Sequence, residues 1–218
     1  MKDDHEERLH MVDRQIRARG ISDAAVLAAM SKVPRHLFVL SESRHHAYED
    51  RPIPIGCGQT ISLPYIVALM CEALKIETGS RVLDIGTGSG YAAAVMAEMG
   101  AKVIGIERKS ELADRAKANL VRAGYPTVRV HCGDGTLGYP QEAPFDAIMV
   151  AAGSPALPGP LKDQLAIGGR LVIPAGPTRH QQQLLRVTRL SETEYSSEPL
   201  CDVTFVPLIG EEGWEDAS

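Results

Sequence analysis

No apolar stretch in this 218-residue sequence approaches the ~20 residues of a membrane span. Residues 1–19 are mixed-charge and lack the apolar core of a signal peptide. Both absences point to a cytoplasmic protein that does not engage membranes. No block of Lys or Arg stands out, and the formal net charge is -5. The electrostatic footprint of a general nucleic-acid binder is therefore missing, which leaves a protein, peptide or small molecule as the expected partner. The four cysteines, Cys57, Cys71, Cys132 and Cys201, form no C-x-x-C pair. That excludes a disulfide framework and a zinc site of the usual spacing. Reduced thiols are expected, with Cys71 and Cys132 as small core residues in apolar segments. The seven histidines, His45-His46 included, show no H-E-x-x-H or other ligand spacing, so no metal is expected. Internal repeats and low-complexity segments are also missing.

What is present is a globular composition, 44% hydrophobic and 23% charged, at a length suited to one domain. Residues 1–75 read as a helical N-terminal layer with a substrate-side loop, 80–210 as a sheet core, and 211–218 as an acidic tail expected to fray. In the first layer Leu9, Val12 and Ile16 recur at helical spacing, and Ser22 or Asp23 is positioned to cap a second helix that stops near Pro34. Pro52, Pro54, Gly56 and Gly58 make residues 50–63 an ordered loop feeding a helix over 65–74. From Arg81 onward, apolar runs at 82–85, 103–106, 128–131, 145–151 and 170–173 alternate with helical patterns at 91–99, 110–123 and 160–166. Two further runs, 183–188 and 203–208, read as closing strands. This rhythm predicts an α/β protein: a Rossmann-like, doubly wound, mostly parallel seven-stranded sheet.

The segment Asp84-Ile85-Gly86-Thr87-Gly88-Ser89-Gly90-Tyr91 runs from a strand through a glycine turn into a helix. Glycine is needed where a Cβ would block a tight turn and the close approach of backbone to ligand. The spacing is G-x-G-x-G, and Tyr91 stands where a dinucleotide fold carries its third glycine, which disfavours a nicotinamide cofactor. About twenty residues on, Glu107 ends the second strand where a carboxylate can accept hydrogen bonds from ribose hydroxyls, with Arg108 beside it. After the third strand, Gly133-Asp134-Gly135 offers a carboxylate that can accept from an adenine amino group.

Together these strand ends resemble the class I S-adenosylmethionine methyltransferases. The resemblance assigns Asp84, Gly86, Thr87, Gly88, Ser89, Gly90, Glu107, Arg108, Gly133, Asp134 and Gly135 to S-adenosylmethionine, or to its product S-adenosylhomocysteine. Nearly the whole chain, through MVDRQIRARGI at 11–21, VLAAMSKVPRHLFV at 26–39 and AYEDRPIPIGCGQTISLPYIVAL at 47–69, is similar to the protein-L-isoaspartate O-methyltransferases, as are 145–176 and 202–210. The element that marks the family is Gly58-Gln59-Thr60-Ile61-Ser62. Its hydroxyl and amide groups stand before the 65–74 helix, whose N-terminus favours a carboxylate; Ser62 is also placed to cap that helix. By resemblance Ser62 and Thr60 belong to the catalytic centre, and Gln59, Thr60, Ile61, Ser62, Thr204 and Val206 contact isoaspartyl proteins or peptides. Cys57 and Leu63 depart from the bacterial pattern.

A carboxylate with a pKa near 4 is already an ionised nucleophile at neutral pH and needs no general base, so no catalytic histidine is nominated. The implied product is a methyl ester that collapses to a succinimide, which makes the expected protein a repair enzyme; a monomer is expected. A relative of the same fold acting on a specialised peptide stays open as an alternative. A nucleic-acid methyltransferase is disfavoured by charge and by Ala151-Ala152-Gly153 in place of an N-P-P-Y-type motif.

Overall fold

A computed structural model describes residues 4–216. The chain opens with helix α1, Asp4–Met11, and continues through a π-helical turn, Val12–Ile16, and a 3-10 turn, Arg17–Arg19. The wider turn rotates the apolar face by part of a residue. Met11, Val12 and Ile16 are therefore buried, and Leu9, expected on the same stripe, is 44% exposed. Helix α2, Ala24–Lys32, is capped by Asp23, whose Oδ1 accepts from the Ala25 and Val26 N–H groups at 2.9 and 3.2 Å.

The segment expected as an ordered loop contains an antiparallel hairpin, β1 (Ile53–Gly56) and β2 (Gln59–Ile61). Ile53, Ile55 and Ile61 point inward from it. Its turn places Gly56, Cys57 and Gly58 at positive φ, 87°, 52° and 70°. Two glycines make that turn cheap, so the residues that look like breakers are what allow the hairpin. Helix α3, Pro64–Leu74, follows with Leu63 at its N-cap and no side-chain cap bond. Ser62 therefore does not cap it.

Next come β3 (Arg81–Ile85), α4 (Tyr91–Glu98), β4 (Lys102–Glu107), α5 (Ser110–Ala123), β5 (Arg129–Cys132), β6 (Phe145–Val150), α6 (Gly159–Asp163), β7 (Leu165–Thr178), β8 (Gln181–Arg189) and β9 (Tyr195–Val203). The seven-stranded sheet has the order β5-β4-β3-β6-β7-β8-β9. The first five strands are parallel, and β8 is antiparallel to both of its neighbours. Alternation along each strand feeds two cores. Val82, Ala147 and Met149 face the cluster built with the N-terminal layer and α3 to α5, while Leu83, Ile85, Ile104 and Ile148 face the opposite cluster with Leu161 of α6. Burial on both faces explains the near-continuous apolar strand sequences.

Three further expectations need correction. The last strand is Tyr195–Val203, whereas residues 204–208 leave the sheet. Beyond them the tail is held as far as it is described: Trp214 N–H donates to the Leu208 carbonyl at 2.8 Å and Trp214 Nε1 to Gly153 O at 3.0 Å. Residues 217 and 218 of the expected frayed tail lie outside the described residues. Cys71 is buried as expected, but Cys132 is exposed at the end of β5. A strand's terminal residue projects past the helices that cover the sheet. No helix among the described residues is long and apolar enough to cross a membrane.

Candidate active site

Between β3 and β6 the chain winds away in opposite directions, leaving a crevice at the carboxyl ends of the strands, where open α/β sheets take their ligands. The glycine turn occupies this position. Gly86, Gly88 and Gly90 have φ of 76°, 56° and 93°, and the turn closes on itself through Gly90 N–H to Thr87 O at 2.9 Å. It is tied to the neighbouring strand through Gly86 N–H to Ile106 O at 2.8 Å. Glu107, only 6% exposed, accepts from Gly88 N–H at 2.9 Å and from Lys109 N–H at 3.0 Å. A carboxylate has about four lone-pair sites, so two stay available to a ligand.

A cavity of about 210 Å³ opens on these groups. Gly86, Gly88, Glu107, Arg108 and Gly135 line it from the sheet side, Gln59 and Thr60 from the hairpin, and Ile209 and Asp216 from the C-terminal segment. The other residues assigned to the cofactor stand behind this wall. The Thr87 hydroxyl donates to the Asp84 carbonyl at 3.0 Å, and the buried Ser89 lends its carbonyl to Asn119 Nδ2 at 3.0 Å. Gly90 opens α4. Gly133 N–H is bonded to the Glu107 carbonyl. Asp134 turns toward the C-terminal segment: Oδ1 accepts from the Thr136 N–H and hydroxyl, and Oδ2 from Glu211 N–H at 2.8 Å.

A groove of about 540 Å³ lies alongside, between Thr60, Ser62, Tyr65 and Ile66 on one flank and Asp202 to Pro207 on the other. The second flank is the departing segment mistaken for a strand. Gln182 brackets it, accepting from Phe205 N–H at 2.8 Å and donating to Phe205 O at 3.2 Å, while Gly153 N–H reaches Val206 O at 2.8 Å. Thr204 and Val206 line this groove, whereas Ile61 is a buried core side chain on neither wall. Ser62 is fixed by its carbonyl, which accepts from Arg35 Nη2 at 2.7 Å. Arg35 is fully buried, donates from Nε to Ala47 O, and lies 4.7 Å above the Tyr91 ring. Burial lowers its pKa from the ordinary guanidinium value. Sequence reasoning passed over Arg35, Gln182 and Arg179, because nothing in their local pattern separates them from surface polar residues.

Five residues, Thr60, Ala151, Arg179, Val206 and Pro207, line both the cavity and the groove. They mark the passage between the two compartments.

Asp84 is fully buried on the strand leading into the turn, and neither carboxyl oxygen has a hydrogen-bond partner. Burial pushes its pKa up to about 7, and the nearby charge of Glu107 adds to the rise. The folded protein thus binds this proton more tightly than the unfolded chain. Stability falls as pH rises from about 4 to about 7 and stays reduced above that window. Asp84→Asn should flatten this part of the profile and, at pH 8, be more stable than wild type by roughly 1–3 kcal/mol. Thermal melts from pH 4.5 to 8 test this, and parallel profiles for the two proteins would refute it.

A glycine turn at the switch point of a sheet in this order, with an acidic side chain closing the next strand, defines a nucleoside-binding enzyme of the Rossmann-like methyltransferase class. Residues 6–213 match the family model "Protein-L-isoaspartate(D-aspartate) O-methyltransferase (PCMT)". The chain belongs to that family. It is 61% identical over 204 residues to Protein-L-isoaspartate O-methyltransferase 2 of Marinobacter nauticus, covering 94% of this chain and 93% of the relative. It is 58% identical to the Protein-L-isoaspartate O-methyltransferase of Methanoculleus marisnigri, covering 96% and 94%. Among solved structures it resembles the beta-aspartate methyltransferase (PCMT) of Plasmodium falciparum in complex with S-adenosyl-L-homocysteine. That match has a TM-score of 0.80 and 30% identity, over 93% of this chain and 98% of the other.

Proposed function

We propose that the protein transfers the methyl group of S-adenosylmethionine to the free carboxylate of L-isoaspartyl residues in damaged proteins and peptides. The observation that carries this reading is the passage joining a nucleoside-sized cavity to an extended groove, with Thr60 on both walls and Ser62 beside it. The residues present fit the cofactor: two lone-pair sites of Glu107 are open toward the cavity, Asp84 has both carboxyl oxygens unpartnered, and the glycine turn leaves room for close approach. Gly86, Gly88, Glu107, Arg108 and Gly135 would hold it directly, with Asp84, Thr87, Ser89 and Gly90 keeping the turn in shape. Bound there, S-adenosylmethionine supplies an electrophilic methyl group on a sulfonium.

The chain's own contribution is placement. Among the described residues the Ser62 hydroxyl has no protein partner, which leaves it and Thr60 free to donate to an acceptor carboxylate arriving at the passage. No base is required, because the acceptor is ionised at neutral pH. Val206, Pro207 and Tyr65 present apolar surface that excludes water from the anion, and holding the reactants in line is the main source of rate. The ester product is a better acyl donor than the carboxylate, so the adjacent backbone nitrogen attacks it, expels methanol and closes a succinimide, whose hydrolysis returns part of the material to normal aspartate.

The test is methyl transfer from labelled S-adenosylmethionine to matched peptides that differ only in L-isoaspartate or L-aspartate. Base-labile labelling of the isoaspartyl peptide alone is expected, and labelling of neither would defeat the reading. Ser62→Ala should lower kcat/KM for the isoaspartyl peptide about tenfold, a loss of roughly 1.4 kcal/mol, with cofactor affinity by titration calorimetry unchanged.

A further inference from the structure

Arg179 is the only charged residue among the five that line both cavity and groove. It is half-buried in the turn between β7 and β8. Its guanidinium donates from Nη2 to the Glu215 carbonyl at 2.9 Å and lies 5.7 Å from the Trp214 ring centroid. Among the described residues no carboxylate comes within ion-pair distance of it. Of the other charges nearby, Lys109 lines the cavity but not the groove, and the rest are engaged within the protein. Arg19 pairs with Asp50 at 3.0 Å and stacks 3.6 Å from the Tyr65 ring centroid. Asp202 accepts from Gln183 Nε2 at 3.2 Å, and Asp216 pairs with Arg108 at 2.8 Å. A guanidinium has five N–H donors, and one is used here.

We propose that Arg179 binds the acceptor carboxylate and sets its position at the passage, taking one oxygen as a charge-assisted hydrogen-bond acceptor and leaving the other free to attack. This rests on the functional reading above and names the residue that recognises the negative charge of the acceptor. The tail prepares it: the Glu215 carbonyl and the Trp214 face restrain a side chain that is otherwise costly to order.

The physics fixes which kinetic constant responds. An attacking carboxylate is fully charged in the bound substrate and loses that charge as the ester forms, while the sulfonium loses its positive charge at the same time. A neighbouring cation therefore stabilises the bound substrate more than the transition state, so it lowers KM without raising kcat. Arg179→Gln should raise KM for an isoaspartyl hexapeptide about tenfold, corresponding to about 1.4 kcal/mol, with kcat equal to or above that of wild type. Arg179→Lys keeps the charge but loses the fork, and should fall between the two. Raising ionic strength should increase KM for wild type and leave the Gln variant nearly unchanged.

Affinity for S-adenosylhomocysteine, measured on the same proteins by calorimetry, separates this role from a structural one. If Arg179 only pinned the tail over the cavity, cofactor affinity would fall and peptide KM at saturating cofactor would not change, and that result overturns the proposal. An unchanged peptide KM with intact cofactor affinity overturns it as well. Should wild type methylate no isoaspartyl peptide, the functional reading itself is lost, and this inference with it.

Discussion

Gly88→Val should reduce affinity for S-adenosylhomocysteine at least ~100-fold, equivalent to about 2.7 kcal/mol, in a protein that remains folded. Three effects converge on this residue. Its φ of +56° lies in the left-handed region, where a β-branched side chain is strained by roughly 1–2 kcal/mol. A Cβ there would stand 3.2 Å from Ile55 Cδ1, closer than ordinary van der Waals contact, and Ile55 is itself part of the cavity wall. Gly88 also lines the cavity, and its N–H holds Glu107 at 2.9 Å, so any shift of the turn also displaces the carboxylate. Gly88→Ala, free of β-branching, should lose about tenfold. Titration calorimetry, with circular dichroism to verify folding, checks both. A valine variant binding within a factor of ten of wild type would show that the turn does not cradle the ligand.

Glu107→Ala should lose comparable affinity and, in addition, stability. Its carboxylate satisfies two backbone N–H groups, Gly88 in the turn and Lys109 at the entrance of α5, and the positive end of that helix favours the anion. Truncation leaves both donors without a partner, which should cost about 2 kcal/mol in thermal or denaturant unfolding. It also removes the open lone pairs, so cofactor affinity should drop on the order of 100-fold. Glu107→Gln separates the roles, because its single amide oxygen can serve one donor but not a pair of hydroxyls in addition. It should recover part of the stability and little of the affinity. Affinity equal to wild type in the Gln variant would remove the ribose-acceptor role.

Most of the sheet was legible because buried parallel strands are apolar on both faces, so 82–85, 103–106 and 145–151 stand out against amphipathic helices. The two substantial errors have one cause. Hydrophobic patterning reports burial and says little about backbone pairing. Tyr195–Val203 is an edge strand with most side chains exposed, so its sequence looks like a loop. Residues 205–208 are apolar because they pack over the crevice, so they look like a strand. The hairpin at 53–61 was hidden for a related reason: Pro52 and Pro54 break regular elements in general, yet both are exposed here, at the margin of a two-stranded ribbon.

By itself the sequence determined the class of fold, the glycine turn and the acidic strand ends, because these depend on local requirements: a strand entering a turn that admits no Cβ, then a helix. It also carried the Gln59 to Ser62 signature. The tertiary structure alone decided which of those residues share a wall. It set Glu107 and Gly88 on the cavity and Ile61 in the core, and it turned Asp134 toward Glu211. It also brought Thr60, Arg179 and Val206, more than a hundred residues apart along the chain at the extremes, to one passage. Such meetings are fixed by strand order and by the path of segments leaving the sheet, and those are properties of the packed whole that no short stretch of sequence encodes.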